Sequence, residues 1–422
     1  MALNLFLALV GYYVIKTVRE PLILESGGAE LKSYASALQA FVLMGLVPFY
    51  SWFSERVDRS KLIRGVVIFF VACIEVFYFA AKLDVPFVGL AFFVWVGIFS
   101  LAIIAQFWSY ANDVYDEESG KRLFPVIAIG AAAGSMVGSR VAGWLFDLGI
   151  SAHNMMQVTA GLLVAHLAIY LVLERRLVAG IGVPEPDTER GALSGGNGFT
   201  LVFKSRYLLL IGGVLVLANL VNTTGEYILS KMVVSKAEAL AVADPTLEVG
   251  AWIGAFYGDY FFVVNVVTLV LQAFVVSRIV KFLGLRGVVL ALPIVAMGTY
   301  AAAAAGVGFA AMRWAKTAEN STDYSVMNTA KAMLWLPTTR EEKYKAKQAI
   351  DTFFVRFGDV MAAGLVFAGT TWLGFGLRGF AATNLVLILV WIALAMVLLK
   401  EYRRISAERE KASTSPEEGS PE

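Results

Sequence analysis

Apolar residues in this chain come in blocks of about twenty, and the blocks recur along nearly its whole length. A helix crossing the hydrocarbon layer of a bilayer needs ~20 such residues, because that length spans ~30 Å. Backbone N–H and C=O groups find no water inside the layer, so a helix that satisfies them internally is the form such blocks take. Candidate spans centre near Leu9, Leu43, Val71, Gly97, Ser135, Val164, Leu215, Val264, Ile294, Asn320, Gly364 and Ile388. The tenth is the least apolar. It is kept because a helix lining a wet cavity can carry one polar face. The expected fold class is an all-α integral membrane protein with twelve transmembrane helices.

Composition excludes the other classes. Of 422 residues, 58% are hydrophobic and 16% charged, against roughly 45–50% and 25% in soluble domains, and the mean hydropathy is +0.70. A water-soluble enzyme, a disordered chain and a disulfide scaffold are all ruled out. The single cysteine, Cys73, permits no internal disulfide and no thiolate metal cluster. His153 and His166 are the only histidines, so no metal site is expected. A net charge of +2 gives no reason to expect a nucleic-acid partner. No Gly-rich loop with Lys-Ser or Lys-Thr is present, and no Ser/His/Asp or Cys/His set converges. The chain is therefore read as neither an enzyme nor an ATP-driven pump, and no cofactor is expected. No cleavable leader is visible before the first apolar block.

Basic residues orient the chain. The connections after even-numbered spans hold clusters such as Arg56, Arg59, Lys61 and Arg64, then Arg278, Lys281 and Arg286, then Arg340, Lys343, Lys345 and Lys347. The opposite side has only scattered bases, among them Lys32, Lys82, Lys231 and Lys236. Both termini are thus expected in the cytoplasm. The longest polar interruption, within 176–202, is rich in Pro, Gly, Ser and acid, and reads as a flexible cytoplasmic linker. It separates an N-terminal bundle (1–175) from a C-terminal bundle (203–400). The charged stretch 401–422 is expected to be a solvated tail without fold.

The two bundles repeat each other. Arg56/Arg278, Arg59/Lys281, Arg64/Arg286 and Gly65/Gly287 fall at one constant offset, and Thr17–Glu20 aligns with Thr223–Glu226 at a shorter one. Two parallel six-helix repeats resemble the architecture of the major facilitator class, in which the substrate site lies at mid-membrane between the halves. The loop carrying Asp58 and Arg59 also resembles the acidic-basic loop that follows the second helix in that class. It can act as a gating tie between helix ends or simply as a basic anchor.

Charges within the spans are the strongest pointers to function, because each costs at least ~2.5–3.5 kcal/mol at bilayer depth unless paired or wetted. Lys16, Arg19 and Glu20 share one helix face. Glu20 is expected to neutralise Lys16, and Pro21 to end or bend the helix. Asn222 and Glu226 follow an apolar run in the seventh span. In the tenth, Arg313, Lys316, Glu319, Asn320, Asp323 and Lys331 fall within about half the circumference at ~100° per residue. The opposite half, including Ala315, Ala318, Ser321 and Ser325, is small and suited to packing. In the fifth, Gly130, Gly134 and Gly138 recur at spacing four and would admit a close neighbour.

Three stretches together resemble the ATP/ADP translocase family of plastids and intracellular bacteria. The first is Ile15-Lys-Thr-Val-Arg-Glu20 with Gly28-Ala-Glu30. The second is Phe107-Trp-Ser-Tyr-Ala-Asn-Asp113 with Lys121-Arg-Leu-Phe-Pro125. The third runs from Tyr324-Ser325 through Lys331, Leu336-Pro337 and Lys345–Asp351 to Arg356-Phe-Gly358. The resemblance implies a nucleotide exchanger whose functional charges fall here on Arg19, Asp113, Glu226 and Lys331. The chain departs from the pattern at Asp323, Asn328-Thr329, Ala332 and Asp359, so another phosphorylated anion stands beside ATP and ADP as a candidate substrate.

The reading is a monomeric alternating-access carrier in a bacterial cytoplasmic membrane, exchanging a small anionic solute. Lys16, Arg19, Lys316 and Lys331 would attract phosphates. Glu20, Asp113 and Glu226 would hold those bases in the empty state, with Asn222, Arg313 and Asn320 beside them. Two alternatives stay open: a proton-coupled carrier of an unrelated solute, and a non-transporting membrane sensor or scaffold.

Overall fold

The computed structural model describes residues 1–54, 56, 57, 59–180 and 198–414, and these are almost wholly helical. In chain order the helices are α1 (Ala2–Ser54), α2 (Arg59–Lys82), α3 (Val88–Val114), α4 (Glu117–Asp147), α5 (Ala152–Gly180), the short α6 (Gly198–Lys204), α7 (Arg206–Ala243), α8 (Val249–Val270), α9 (Val276–Ala305), α10 (Phe309–Thr322), α11 (Asn328–Leu334), the single-turn α12 (Lys347–Ala349), α13 (Val355–Thr371) and α14 (Leu377–Thr414). Wider π-turns occupy Leu271–Val275, Asp323–Met327, Glu342–Ala346 and Ile350–Phe354.

Among the described residues, nine segments are long and apolar enough to cross a bilayer. Two of them are too long to cross once. Ala2–Tyr50 has 49 residues and Val249–Ala305 has 57. Each exceeds ~70 Å at 1.5 Å per residue, against a layer of ~30 Å. The tenth expected span, built from α10 and α11, is not one of the nine because it is too polar. The all-helical membrane fold is the one expected, and twelve crossings are consistent with these lengths.

The first long segment divides at Gly27–Gly28 and not at Pro21. Gly28 has φ 69 and ψ −165, a region essentially closed to residues with a Cβ. Pro21 stays inside helical backbone. It forfeits one hydrogen bond, which a membrane helix tolerates when neighbouring groups take up the freed carbonyl. The second long segment contains Gly284 at φ 58 and ψ −154, within the basic stretch from Arg278 to Arg286.

Contacts group the chain into two units. The first joins Met1–Arg190 to Glu226–Leu269, and the second joins Gly191–Gly225 to Val270–Glu422. In the first, α1 packs on α3, α4 and α5. The glycine stripe of α4 does what its spacing predicts. A Cβ on Gly134 would lie 2.5 Å from the Phe6 carbonyl oxygen, and one on Gly138 would lie 2.6 Å from that of Val10. A column of rings (Phe70, Phe77, Phe92, Trp95 and Phe99) fills the space between α2 and α3. In the second unit, α9 packs on α14 and α10. On α13, Gly358 brings its backbone against the Val216 carbonyl of α7.

Two expectations from composition need correction. Residues 198–202, assigned to the linker, lie in α6, whose Phe199 packs edge-on against Phe353 at 4.7 Å. The stretch 401–414, expected without fold, continues α14. Its Glu401 binds Arg404 one turn on at 2.5 Å, and Arg409 donates to the Thr338 carbonyl at 3.2 Å. Good helix formers and these ties outweigh the charge that made the segment look solvated.

The α1–α4 contact gives a sharp test. Gly134→Ala should lower the melting temperature of the detergent-purified protein, by an amount equivalent to about 1–3 kcal/mol of overpacking. Gly161→Ala, where a Cβ meets nothing within 4 Å, should leave it unchanged or slightly raised. Equal melting temperatures for the two variants would refute the close approach.

Candidate functional site: buried ion pairs within the spans

The charges of α1 fold onto each other in a way the sequence only partly foretells. Glu20 is 1% exposed. Its Oε1 accepts from Arg19 Nη2 at 2.6 Å and from Arg19 Nε at 3.2 Å, and its Oε2 lies 2.7 Å from Lys32 Nζ. The expected Glu20–Lys16 pair does not form. Lys16 instead places its ammonium 4.2 Å from the centre of the Phe261 ring and 5.1 Å from that of Tyr13. The i,i+4 spacing allowed the pair, but Lys32 supplies a better-buried cation from beyond the Gly27–Gly28 break. Aromatic faces then hold the ammonium of Lys16 by cation–π attraction. Arg19 similarly stacks over Phe93 at 4.3 Å.

Lys32 is the residue that sequence reasoning missed. Positive-side counting treats it as a loop base, yet it is 7% exposed. It donates to Ser230 Oγ at 2.9 Å and to Tyr257 OH at 3.5 Å. Those two hydroxyls bond each other at 3.0 Å. Glu226, one turn before Ser230 on α7, is half-buried and acts electrostatically on both Arg19 and Lys32. A usable clue lay in the sequence: Lys32 follows Gly28 by four residues, which is too few to leave the membrane-facing fold.

A second cluster sits in the other unit. Lys316 of α10 has no exposed surface. Its Nζ contacts Glu319 Oε1 at 3.1 Å, Asn222 Oδ1 at 2.7 Å and the Asn222 carbonyl at 3.3 Å. Three acceptors meet three donors. Tyr300 OH donates to the same Glu319 oxygen at 2.9 Å. Beside this, Asp359 of α13 is 8% exposed. It accepts from Asn219 and Thr223 of α7, each at 2.8 Å, with Arg356 at 3.5 Å. Asp359 stood out in the sequence only as a departure from a family pattern.

The structure thus groups Lys16, Arg19, Glu20 and Glu226 in the first unit, and Asn222, Lys316 and the buried Asn320 in the second. Arg313 is half-buried, one turn before Lys316. Lys331 is half-buried and interacts electrostatically with Asp351. It stands about 22 Å along the helix from Lys316 at 1.5 Å per residue, too far to share one phosphate with it. Asp113 lies in α3 and Arg59 opens α2, but the side chains of both fall outside the described residues, as does all of Asp58. The small half of the tenth span is not uniformly packed: Ser321, Thr322 and Ser325 are buried, while Ala318 is exposed.

Solved transporters share this fold. The nucleoside transporter NupG matches with a TM-score of 0.63 at 14% identity, covering 95% of this chain and 99% of its own. An auto-inhibited peptide transporter of the POT family matches with a TM-score of 0.67 at 12% identity, covering 96% of each chain. The fold is therefore the one these transporters have. A sequence profile of the TLC ATP/ADP transporter family matches residues 91–402, and the chain belongs to that family.

Curated relatives agree. ADP,ATP carrier protein 1 of Chlamydia trachomatis is 21% identical over 357 residues, covering 74% of this chain and 65% of the relative. The protein of that name from Chlamydia pneumoniae is 22% identical over 360 residues, covering 74% and 67%. The chain spans about two thirds of the length of these relatives. Asn222, Glu226, Lys316 and Lys331 fall inside the profile match, whereas Lys16, Arg19, Glu20 and Lys32 precede it.

Removing one member of a buried ion pair leaves the other uncompensated, at a cost of ~3–5 kcal/mol. Lys316→Met alone should therefore depress the melting temperature strongly. Lys316→Met combined with Glu319→Met should recover most of the loss. If the double variant melts no higher than the single one, the pair is not the unit that holds α10.

Proposed function

We propose that the protein is a secondary transporter working by alternating access, and that it exchanges nucleotides of the ATP/ADP type or another phosphorylated anion across a bacterial cytoplasmic membrane. The observation that carries this reading is a matched set of buried bases and carboxylates inside a chain that belongs to an ATP/ADP transporter family. Arg19, Lys32 and Lys316 each have an internal carboxylate. A ligand phosphate offers guanidinium and ammonium groups the same charge-assisted hydrogen bonds at low dielectric. Exchanging carboxylate for phosphate changes which contacts are made, and a ligand shifts a conformational equilibrium only through such differential contacts.

Lys16 and Arg19 are the bases best suited to meet the ligand. Among the described residues Lys16 has only ring contacts, and Arg19 commits two of its five N–H groups to Glu20. Within the second unit, Lys316, Asn222 and Asn320 are the candidates for ligand contact. We place both termini in the cytoplasm and take the working unit as a monomer.

The direct test is uptake into proteoliposomes. Vesicles preloaded with ADP should accumulate labelled ATP above empty vesicles, and Lys16→Met should weaken apparent affinity by about tenfold or more, the worth of one charge-assisted bond. A saturating nucleotide, at a hundredfold excess over Kd, should also stabilise the purified protein by ~2.7 kcal/mol in a thermal melt. Absence of flux for ATP, ADP and inorganic phosphate alike would remove the substrate assignment. A proton-coupled carrier is the second reading, favoured by the buried carboxylate of Asp359 with its neutral donors Asn219 and Thr223. It predicts uptake that follows an imposed pH gradient, and loss of that dependence in Asp359→Asn.

A further inference from the structure

The bases of the first unit fall into two kinds. Lys16 and Arg19 lie on the stretch of α1 before the Gly27–Gly28 break and keep N–H groups uncommitted among the described residues. Lys32 lies after the break, and its three donors face three acceptors: Glu20 at 2.7 Å, Ser230 at 2.9 Å and Tyr257 at 3.5 Å. Both hydroxyl residues are fully buried. The ring of Tyr257 also lies 4.9 Å from the ammonium. A ligand cannot reach Lys32 without dismantling this set. One ammonium therefore ties together four stretches: α1 before its break, α1 after it, the latter part of α7, and α8.

We propose that Lys32 is a latch, a positioning residue that holds the stretch of α1 beyond Gly28 against α7 and α8 while the site is empty, and that it must release during each transport cycle. The inference rests on the transport reading for its purpose, but the latch itself rests on geometry. Glu20 is its hinge of charge. It bonds both Arg19 and Lys32. An anion that captures Arg19 leaves Glu20 with Lys32 as its one base, so the hold on Lys32 differs between the empty and the occupied protein. The carboxylate thereby couples ligand arrival at Arg19 to the hold on Lys32, without Lys32 touching the ligand.

Accessibility of a neighbouring buried position tests this without any substrate. Ala35 has no exposed surface and lies one turn beyond Lys32. In a Cys73→Ser background, Ala35→Cys should react slowly with a water-soluble maleimide in detergent. Adding Lys32→Met should raise the labelling rate about tenfold or more, as expected when charge-assisted bonds that favour one arrangement are lost. Lys32→Arg should restore slow labelling, and Tyr257→Phe, a milder change, should give an intermediate rate. Unchanged labelling in both Lys32→Met and Tyr257→Phe, in protein that stays monodisperse, would overturn the latch.

Exchange kinetics separate the two claims. If the protein exchanges ADP for ATP, Lys32→Met should lower the turnover rate while leaving KM within about twofold, whereas Lys16→Met should raise KM. A Lys32→Met variant whose loss is entirely in KM would make it a ligand-binding base and refute the latch. Absence of any exchange by the parent protein would refute the transport reading, and the labelling result would still decide the latch.

Discussion

A charged group taken out of water must bring its counter-charge with it, and this requirement organises the interior of the chain. The desolvation cost of each ion amounts to several kcal/mol even after relaxation. Arg19, Lys32 and Lys316 are all deeply set, and each is met by a carboxylate from the same chain together with oriented hydroxyl, amide or carbonyl groups. Such an arrangement is poor value for stability alone, since apolar residues of the same volume would do as well or better. Its presence in a membrane chain is the physical reason to look for an anionic ligand there.

Glycine does the complementary work of letting those charges meet. The stripe on α4 draws α1 in until backbone meets backbone. The positive φ of Gly28 turns α1 back so that Lys32 returns to Glu20, twelve residues earlier in sequence but adjacent in space. Farther along, Gly225 leaves room for the Tyr300 hydroxyl, which in turn orients Glu319 toward Lys316. Close helix approach and ion pairing are thus one construction: the first removes the water that the second would otherwise prefer.

Much of this was legible in the sequence, and the exceptions have physical causes. Apolar block length revealed the spans, because the bilayer imposes one length scale on every helix. Spacing at four residues revealed the α4 contact. The polar face of α10 singled out Lys316 and Asn320 as residues that would meet water and ligand, whereas both are buried among neighbouring helices. The partner of Glu20 was missed because the helical wheel offers only residues from the same turn, and Lys32 arrives by tertiary return. Pro21 drew attention as a breaker although membrane helices absorb a lost N–H. The true break depends on a backbone conformation of Gly28 that nothing in residue identity alone distinguishes from the adjacent Gly27. Asp359 was seen only as an oddity, since its hydrogen-bond partners Asn219 and Thr223 lie on a helix far away in sequence.

The π-turn at Asp323–Met327 has a mechanical corollary. Lys316 is clamped on its N-terminal side, while Lys331 rides on its C-terminal side. An added residue in a helical turn is a dislocation, and a dislocation can glide. Gliding it past Lys331 would swivel the residues it crosses by about 100° and leave the clamped end still. One continuous rod could then present Lys331 in two azimuths while its upstream anchor never lets go.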